Sequence, residues 1–346
     1  VSTSLEDVAR SAGVSPSTVS RALRGLPGVN EDNRRRIAEI AASLGYVISP
    51  AASRLASGRM HTIGVVVPYV NRWFFGQVIL GVESVLRARG FDLLLYNIGD
   101  NAGRERFFVE MPLRRRVDGV IVLSLPLSKS EVDRLTELNV PVAVVGVAAT
   151  PFACVRIDDV SGAITAVRHL TQLGHRDIGL ISSGTEIPMN FTTPVERRNG
   201  YLTALNEAHI DYDASLEAIG GFTIASGERA MARLLRGVRR PTAVFAESDE
   251  MAFGALRAIR RAGLRVPVDI SVVGFDNHDM ADLLDLTTIE QPVVQQGETV
   301  AQMLLDLLAA GGEPSGQLEV LPTRLLVRGS TAPRAHADAL PAHYST

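Results

Sequence analysis

From Thr62 onward the chain alternates short apolar runs with longer stretches whose apolar residues recur every three or four positions. The short apolar runs at 62–68 (TIGVVVP), 91–97 (FDLLLYN), 118–124 (DGVIVLS) and 140–146 (VPVAVVG), all but the leucine-rich second rich in β-branched residues, have the pattern of strands buried on both faces. Amphipathic helical patterns lie between them, for instance Val78, Val82, Val85 and Leu86 ahead of Gly90. The rhythm breaks near 158–162 and restarts with strands at 177–183, 242–248 and 270–276. Helices carrying Ala163, Val167 and Leu170, and Ala252, Leu256 and Ile259, intervene and close on Gly174 and Gly263. Buried strands alternating with helices predict parallel sheets, hence an α/β fold with two doubly wound subdomains.

The first sixty residues follow a different period. Leu5, Val8 and Ala9 keep helical spacing after Ser4, Asp7 stands where a capping box needs it, and Gly13 ends the segment. Ser15 is placed to cap a second helix with Pro16 at its first position, and Val19, Ala22 and Leu23 form its apolar stripe. Asn30 caps a third helix bearing Ile37, Ile40, Ala41 and Leu44 before Gly45. Two helices joined by a glycine-containing turn have the spacing of a helix-turn-helix, whose second helix enters the DNA major groove N-terminus first. Its polar side holds Ser17, Thr18, Ser20, Arg21 and Arg24. Hydroxyls bond phosphates or base edges, and arginine reaches guanine with two bonds. The same residues would also suit the solvated face of a small helical bundle, and spacing alone leaves both readings open.

The stretch SPAASRLASGR at 49–59 reads as one or two helical turns with a single large apolar side chain, Leu55. So short a helix is marginal alone. A second copy or DNA would stabilise it, with Leu55 as a wedge between base steps of the minor groove. The alternative is an ordinary linker in which Leu55 touches the following domain.

Charge and chemistry narrow the function classes. The chain has 346 residues and a net charge of −3, yet residues 1–60 carry eight arginines against five acids. The head is therefore basic on an acidic body. Cys154 is the only cysteine, which excludes an internal disulfide and fits a reducing compartment. With no basic-then-apolar leader and no apolar run of membrane-spanning length, a cytoplasmic protein without a membrane partner is expected. No Gly-x-Gly-x-x-Gly, P-loop or Gly-x-Ser-x-Gly sequence occurs. His169 and His175 are six apart, off the spacing of a helical zinc pair, and read as capping or buried structural histidines. The acids at Asp158–Asp159 and at Glu247, Asp249 and Glu250 fit helix N-termini more simply than acid–base or metal chemistry. No enzyme activity, cofactor or metal is expected.

The segments SLEDVARSAGVSPSTVSRALRG and VNEDNRRRIAEIAASLGYVISPAASRLASG resemble the headpiece of the lactose-repressor/galactose-repressor (LacI/GalR) family of transcriptional regulators. The matching signature is D-V-A, A-G-V-S, T-V-S-R, L-G-Y and a small-residue hinge containing leucine. The resemblance implies that Pro16, Ser17 and Arg21 face operator bases, with Thr18 and Ser20 near phosphates. It also implies that Leu55 pries open a central base step of a pseudo-palindromic site, with Ala52 beside it. Ser4, Leu5, Ser15 and Asn30, at the helix starts, complete the candidate DNA contacts. Pro16 has no N–H to donate, so it would read bases by shape or methyl contact.

Doubly wound sheets bind ligands beyond the carboxyl ends of their strands. Tyr69, Asn71 and Phe74 follow the first strand, Asp100 the second, and Ser248, Asp249 and Asp276 follow later ones. As a set they suit a small polyhydroxylated or heterocyclic ligand in an interdomain cleft, and each alone also fits a turn or cap. VDGVIV, GHRDIGLI, RRNGYLTAL, PTAVFAESDEMAFGALRAIRRAGLRVPVDISVVGFDN, LTTIEQP and LPTRLLVRGST resemble, in order, the effector-binding core of the same family. That resemblance implies a periplasmic-binding-protein-like core in which Arg197 reaches the ligand, Asp276 accepts hydrogen bonds from it and Phe222 stacks on it. The family's usual Asn-Asp is here Ser248-Asp249, a departure that bears on which ligand is kept.

The domains expected are a helix-turn-helix at 1–48, a hinge at 49–60 and a core at 61–330, followed by a disordered tail at 331–346. The core divides into 61–159 with 290–318, and 160–289 with 319–330. The family implies a homodimer through the helix at 77–89 and residues near 278–284, and no leucine heptads after Arg328 suggest a tetramer. The reading is a repressor that binds double-stranded operator DNA as a dimer under control of a small-molecule effector, in this family most often a sugar. A transporter's sugar-binding protein would share the core but leave the basic head without a purpose.

Overall fold

The computed structural model describes residues 3–46, 59–147, 150–184, 188–311 and 316–334. Ala52 and Leu55, with the expected hinge up to residue 58, lie outside the described residues, as does the tail from 335. The chain divides into two compact units, Val1–His61 and Thr62–Thr346.

The first unit holds α1 (Leu5–Ala12), α2 (Pro16–Leu23) and α3 (Glu31–Ser43). Ser4 and Asp7 form the reciprocal capping box, and Gly13 takes φ 63, a left-handed turn that suits glycine. Ser15 Oγ accepts the Thr18 N–H, so α2 starts where its proline costs nothing. Val8, Ala9, Ala12, Val19, Ala22, Ile37 and Ala41 make one small core.

The second unit contains two six-stranded sheets. The first subdomain runs β1 (Thr62–Val67), α4 (Trp73–Ala88), β2 (Asp92–Asn97), α5 (Asn101–Glu110), β3 (Gly119–Leu123), α6 (Lys129–Thr136), β4 (Val142–Val145) and β5 (Ala153–Ile157). The second runs α7 (Asp159–Gln172), β6 (Ile178–Ser182), α8 (Thr193–Glu207), β7 (Glu217–Ile219), α9 (Ile224–Arg236), β8 (Ala243–Ala246), α10 (Asp249–Arg261), β9 (Ser271–Asp276), α11 (Met280–Leu283) and β10 (Thr287–Glu290). The chain then returns through α12 (Val293–Ala309) and β11 (Leu318–Leu321) to the first, and ends with β12 (Arg324–Leu326) on the second. The sheet orders are β11-β5-β4-β3-β1-β2 and β12-β10-β9-β8-β6-β7. Every pairing is parallel except β10 with β12.

Two differences from the sequence reading have plain causes. The last crossing falls between Leu321 and Arg324 rather than at 318–319, because Leu318–Leu321 pairs with β5 and buries Leu321. The first four residues of the expected disordered tail are tied down: His169 Nε2 bonds Thr331 Oγ1, the Ala332 N–H donates to Ser271 Oγ, and the Arg334 N–H donates to the Leu173 carbonyl. His175, buried between Thr242 and Ser271, is structural in the same way.

Each subdomain is sealed by a glycine pair between helices. A Cβ on Gly81 of α4 would lie 2.1 Å from the Val294 carbonyl oxygen of α12, and one on Gly297 would meet the Val78 carbonyl at 2.1 Å. Gly254 and Gly227 do the same between α10 and α9. Backbone-to-backbone packing of this kind fixes the helices that flank the strand ends.

Candidate functional site

Strand order reverses between β1 and β3 in one sheet and between β6 and β8 in the other. These switch points open toward a cleft of about 440 Å³, within the range of small-ligand sites. Tyr69, Trp73, Phe74 and Ser124 line it from the first subdomain, and Ser183, Arg197, Phe222, Ser248 and Asp276 from the second. Gln291 and Gln296 enter it from the crossing into α12.

The polar part of the cleft is organised around Arg197, a residue of α8 only 4% exposed. Its Nε donates to Asp159 Oδ1 at 2.7 Å, and its Nη1 to the Glu247 carbonyl and, at 3.5 Å, to Asp276 Oδ1. The guanidinium lies 3.6 Å from the Phe275 ring centre. Gln296 Nε2 donates to Gln291 Oε1 at 2.9 Å, and Gln291 Nε2 to Asp276 Oδ1 at 2.6 Å. A continuous relay therefore runs from α12 through Gln291, Asp276 and Arg197 to α7, holding each group for a ligand hydroxyl or amide. Ser124 (φ 48), Phe222 (φ 52) and Asp276 (φ 129) all face the cleft in backbone conformations unusual for non-glycine residues. Strain of about 1–3 kcal/mol per residue tends to collect at ligand sites.

Burial dominates the electrostatics. It pushes Asp276 up to about 6, with Arg197 opposing the rise. Glu247 is fully buried, accepts the Ser183 N–H at 2.9 Å, and has its carboxyl pushed up by burial to about 8. A folded-state value above the unfolded one contributes stability that is full below the unfolded value, near 4.3, and is lost as pH rises through 8. Glu247→Gln should therefore flatten the fall in melting temperature between about pH 6 and pH 8.5. Parallel melting profiles for variant and parent would contradict this.

Six of the nine effector candidates meet in the cleft: Tyr69, Phe74, Arg197, Phe222, Ser248 and Asp276. The other three lie outside its lining. Asn71 is exposed and outside the lining; Asp100 caps α5 by accepting the Gly103 N–H at 2.7 Å. Asp249 is buried, accepting from Thr288 Oγ1 at 2.6 Å and the His278 N–H at 2.8 Å, and so braces β10 and the turn after β9. Asp159 and Gln291 also line the cleft just past β5 and β10, two short strands that the sequence reading did not single out; Asp159 was read there only as a helix N-terminal acid, and Gln296 lies inside α12, away from any strand end. Among the described residues no His, Cys, Asp and Glu group could hold a metal ion, and no helix is long and apolar enough to cross a membrane.

In the head, Ser4, Ser15 and Asn30 act as helix caps, and Leu5 packs against the small core. Ser15 Oγ also meets Ser17 Oγ at 2.8 Å and Thr18 Oγ1 at 2.9 Å, which pre-orients the start of α2. Pro16, Ser17 and Arg21 are exposed, whereas Thr18 and Ser20 are half-buried. The arginines divide into two kinds. Arg34 donates to the carbonyls of Ala22, Leu26 and Val29, Arg36 to that of Ala12, and Arg24 to that of Ser20. Arg21 is exposed and donates to no acceptor among the described residues.

Comparison with known proteins agrees with both halves. Residues 4–49 match "Bacterial regulatory proteins, lacI family", and residues 167–331 match a periplasmic binding protein-like domain. The HTH-type transcriptional repressor CytR of Escherichia coli (strain K12) is 34% identical over 334 residues, spanning 94% of this chain and 96% of that protein. A crystal structure of the lac repressor dimer bound to operator and the anti-inducer ONPF superposes with a TM-score of 0.84 at 28% identity, covering 96% of this chain and all of that one. The transcriptional regulator CelR–cellobiose complex has a TM-score of 0.70 at 33% identity, covering 95% and 99%. The chain belongs to the lacI family of bacterial regulatory proteins.

Proposed function

We propose that the chain is a ligand-responsive transcriptional repressor that binds a pseudo-palindromic operator as a dimer in the cytoplasm, acting by binding and not by catalysis. One observation carries the reading: a helix-turn-helix with an uncommitted Arg21 is joined to a cleft organised by the Arg197–Asp276–Gln291 relay. In the dimer each recognition helix occupies a major groove, the two about 34 Å apart. Pro16, Ser17 and Arg21 read bases, and Thr18 and Ser20 approach phosphates. Leu80, 54% exposed, and Leu283, 79% exposed, lie in the two segments expected to meet across the dimer.

The effector is an uncharged polyhydroxylated molecule, a sugar or sugar-like compound. Two arginines against three carboxylates around the cleft disfavour a phosphorylated ligand, while Asp276, Gln291 and the serines suit hydroxyls. Phe222 and Phe74 supply apolar faces. The cellobiose held by CelR supports the same class. Leu55→Ala should weaken binding to a selected operator far more than binding to random DNA, as a gel-shift comparison at fixed salt would reveal. Equal losses on both DNAs would remove the wedge role.

A further inference from the structure

Two arginines of the first subdomain each grip a main-chain carbonyl of a segment that belongs by sequence to the second. Arg104 of α5 is itself anchored: Nε and Nη2 each donate to Glu131 at 2.7 Å, and Nη2 also to the Pro126 carbonyl. That leaves Nη1 to donate to the Met189 carbonyl at 2.8 Å, while Asn101 Oδ1 accepts the Met189 N–H at 3.0 Å. Met189 follows β6 and belongs by sequence to the second subdomain. Its side chain is nevertheless 1% exposed and packs in the core of the first, with Phe107, Phe108 and Leu125. Arg72, at the start of α4, repeats the device by donating to the carbonyls of Phe222 and Gly221.

Met189 (φ 68) and Phe222 (φ 52) are both held in the left-handed region, which non-glycine residues occupy where surrounding contacts over-determine them. Each grip also fixes an aromatic wall of the cleft. One is Phe222 itself, and the other is Phe191, two residues past Met189 and 6.1 Å from the Tyr69 ring.

We propose that Arg104, with Asn101, and Arg72 are positioning residues that clasp the cleft shut and set its Phe191 and Phe222 walls. Closure is then held by protein contacts alone, and ligand entry and exit both require the clasps to open. Arg104 does this from outside the cleft lining. The consequence for ligand exchange rests on the cleft being the effector site; the clasp itself is testable without any effector.

Trp73, the only tryptophan, is a built-in reporter. Its Nε1 donates to Asp279 Oδ2 at 3.0 Å and its ring stacks on His278 at 4.7 Å, both on the far side of the cleft. The bonds that hold Arg104 and Asn101 to Glu131, Pro126 and Met189 do not involve Trp73 or its partners. Acrylamide quenching of the full chain should rise about two-fold in Arg104→Gln and in Asn101→Ala, with unchanged far-ultraviolet circular dichroism, as the open population grows. Arg104→Lys, which keeps the charge but offers a single ammonium in place of the planar fork, should recover part of the shielding. A rise in either folded variant supports the clasp, and parental quenching in both overturns it. If Arg104→Gln fails to fold with Glu131 left unpaired, Asn101→Ala, an exposed residue losing one bond, decides alone. A cleft that binds no effector at all would leave this result unchanged, so the two readings fail independently.

Discussion

Arg197→Ala is expected to abolish the response to effector and to lower stability by roughly 3–5 kcal/mol, the cost of breaking a buried ion pair from one side. The variant strands Asp159 and Asp276 in the interior, removes the donor to the Glu247 carbonyl and uncovers the Phe275 ring. Burial already raises both carboxyls above their ordinary values, and without the guanidinium they rise further. The stability deficit should therefore shrink as pH falls toward 5, because neutral carboxyls no longer need the missing charge. Urea denaturation at pH 7.5 and pH 5.5 reads the stability loss, and ligand-induced thermal shift reads the effector response. Operator binding should survive at low temperature, since the DNA-contacting head is a separate compact unit. A variant that keeps the full ligand-induced shift would refute the assignment of Arg197.

Arg21→Ala is expected to cost about 1–3 kcal/mol of binding to the selected operator, roughly a factor of 10 to 100, while relaxing specificity at one base pair. The neighbouring arginines set the contrast. Arg34 and Arg36 spend their donors on carbonyls of the head, so replacing Arg34 should lower the melting temperature of the head first and DNA affinity only as a consequence. Among the described residues Arg21 has no such acceptor, and it sits on the exposed side of α2, nearly two turns past the Ser15 cap. Its removal should leave melting unchanged. Gel shifts on a panel of singly substituted operators separate the outcomes, because a phosphate contact would instead weaken all sequences alike and reduce the salt dependence.

Much of this architecture was legible in the chain. The three head helices begin beside Ser4, Ser15 and Asn30, because side-chain caps and Pro16 mark helix starts by local chemistry alone. The long central strands were equally clear, being apolar runs buried on both faces. Glu217–Ile219 escaped notice, since three residues at a sheet edge carry no measurable period. At the site, Arg197 and Phe222 came from family resemblance, Tyr69, Phe74 and Ser248 from the strand-end rule, and Asp276 from both. The same rule also picked Asp100 and Asp249, which lie outside the lining: an acid after a strand is also the natural cap or brace for the next element, and only three-dimensional neighbours separate the roles. The Gln291–Asp276 bond and the Arg104–Met189 clasp join residues 15 and 85 positions apart, which no local pattern encodes.

Effector binding in the cleft and operator binding at the head are expected to be linked through one chain. The direct test is a titration of fluorescent operator, at fixed salt, with and without a saturating sugar chosen by thermal-shift screening. The coupling predicts that the effector changes operator Kd by roughly 5- to 150-fold and that operator changes effector Kd by the same factor. A compound that stabilises the protein through the cleft yet leaves operator Kd unmoved would contradict it.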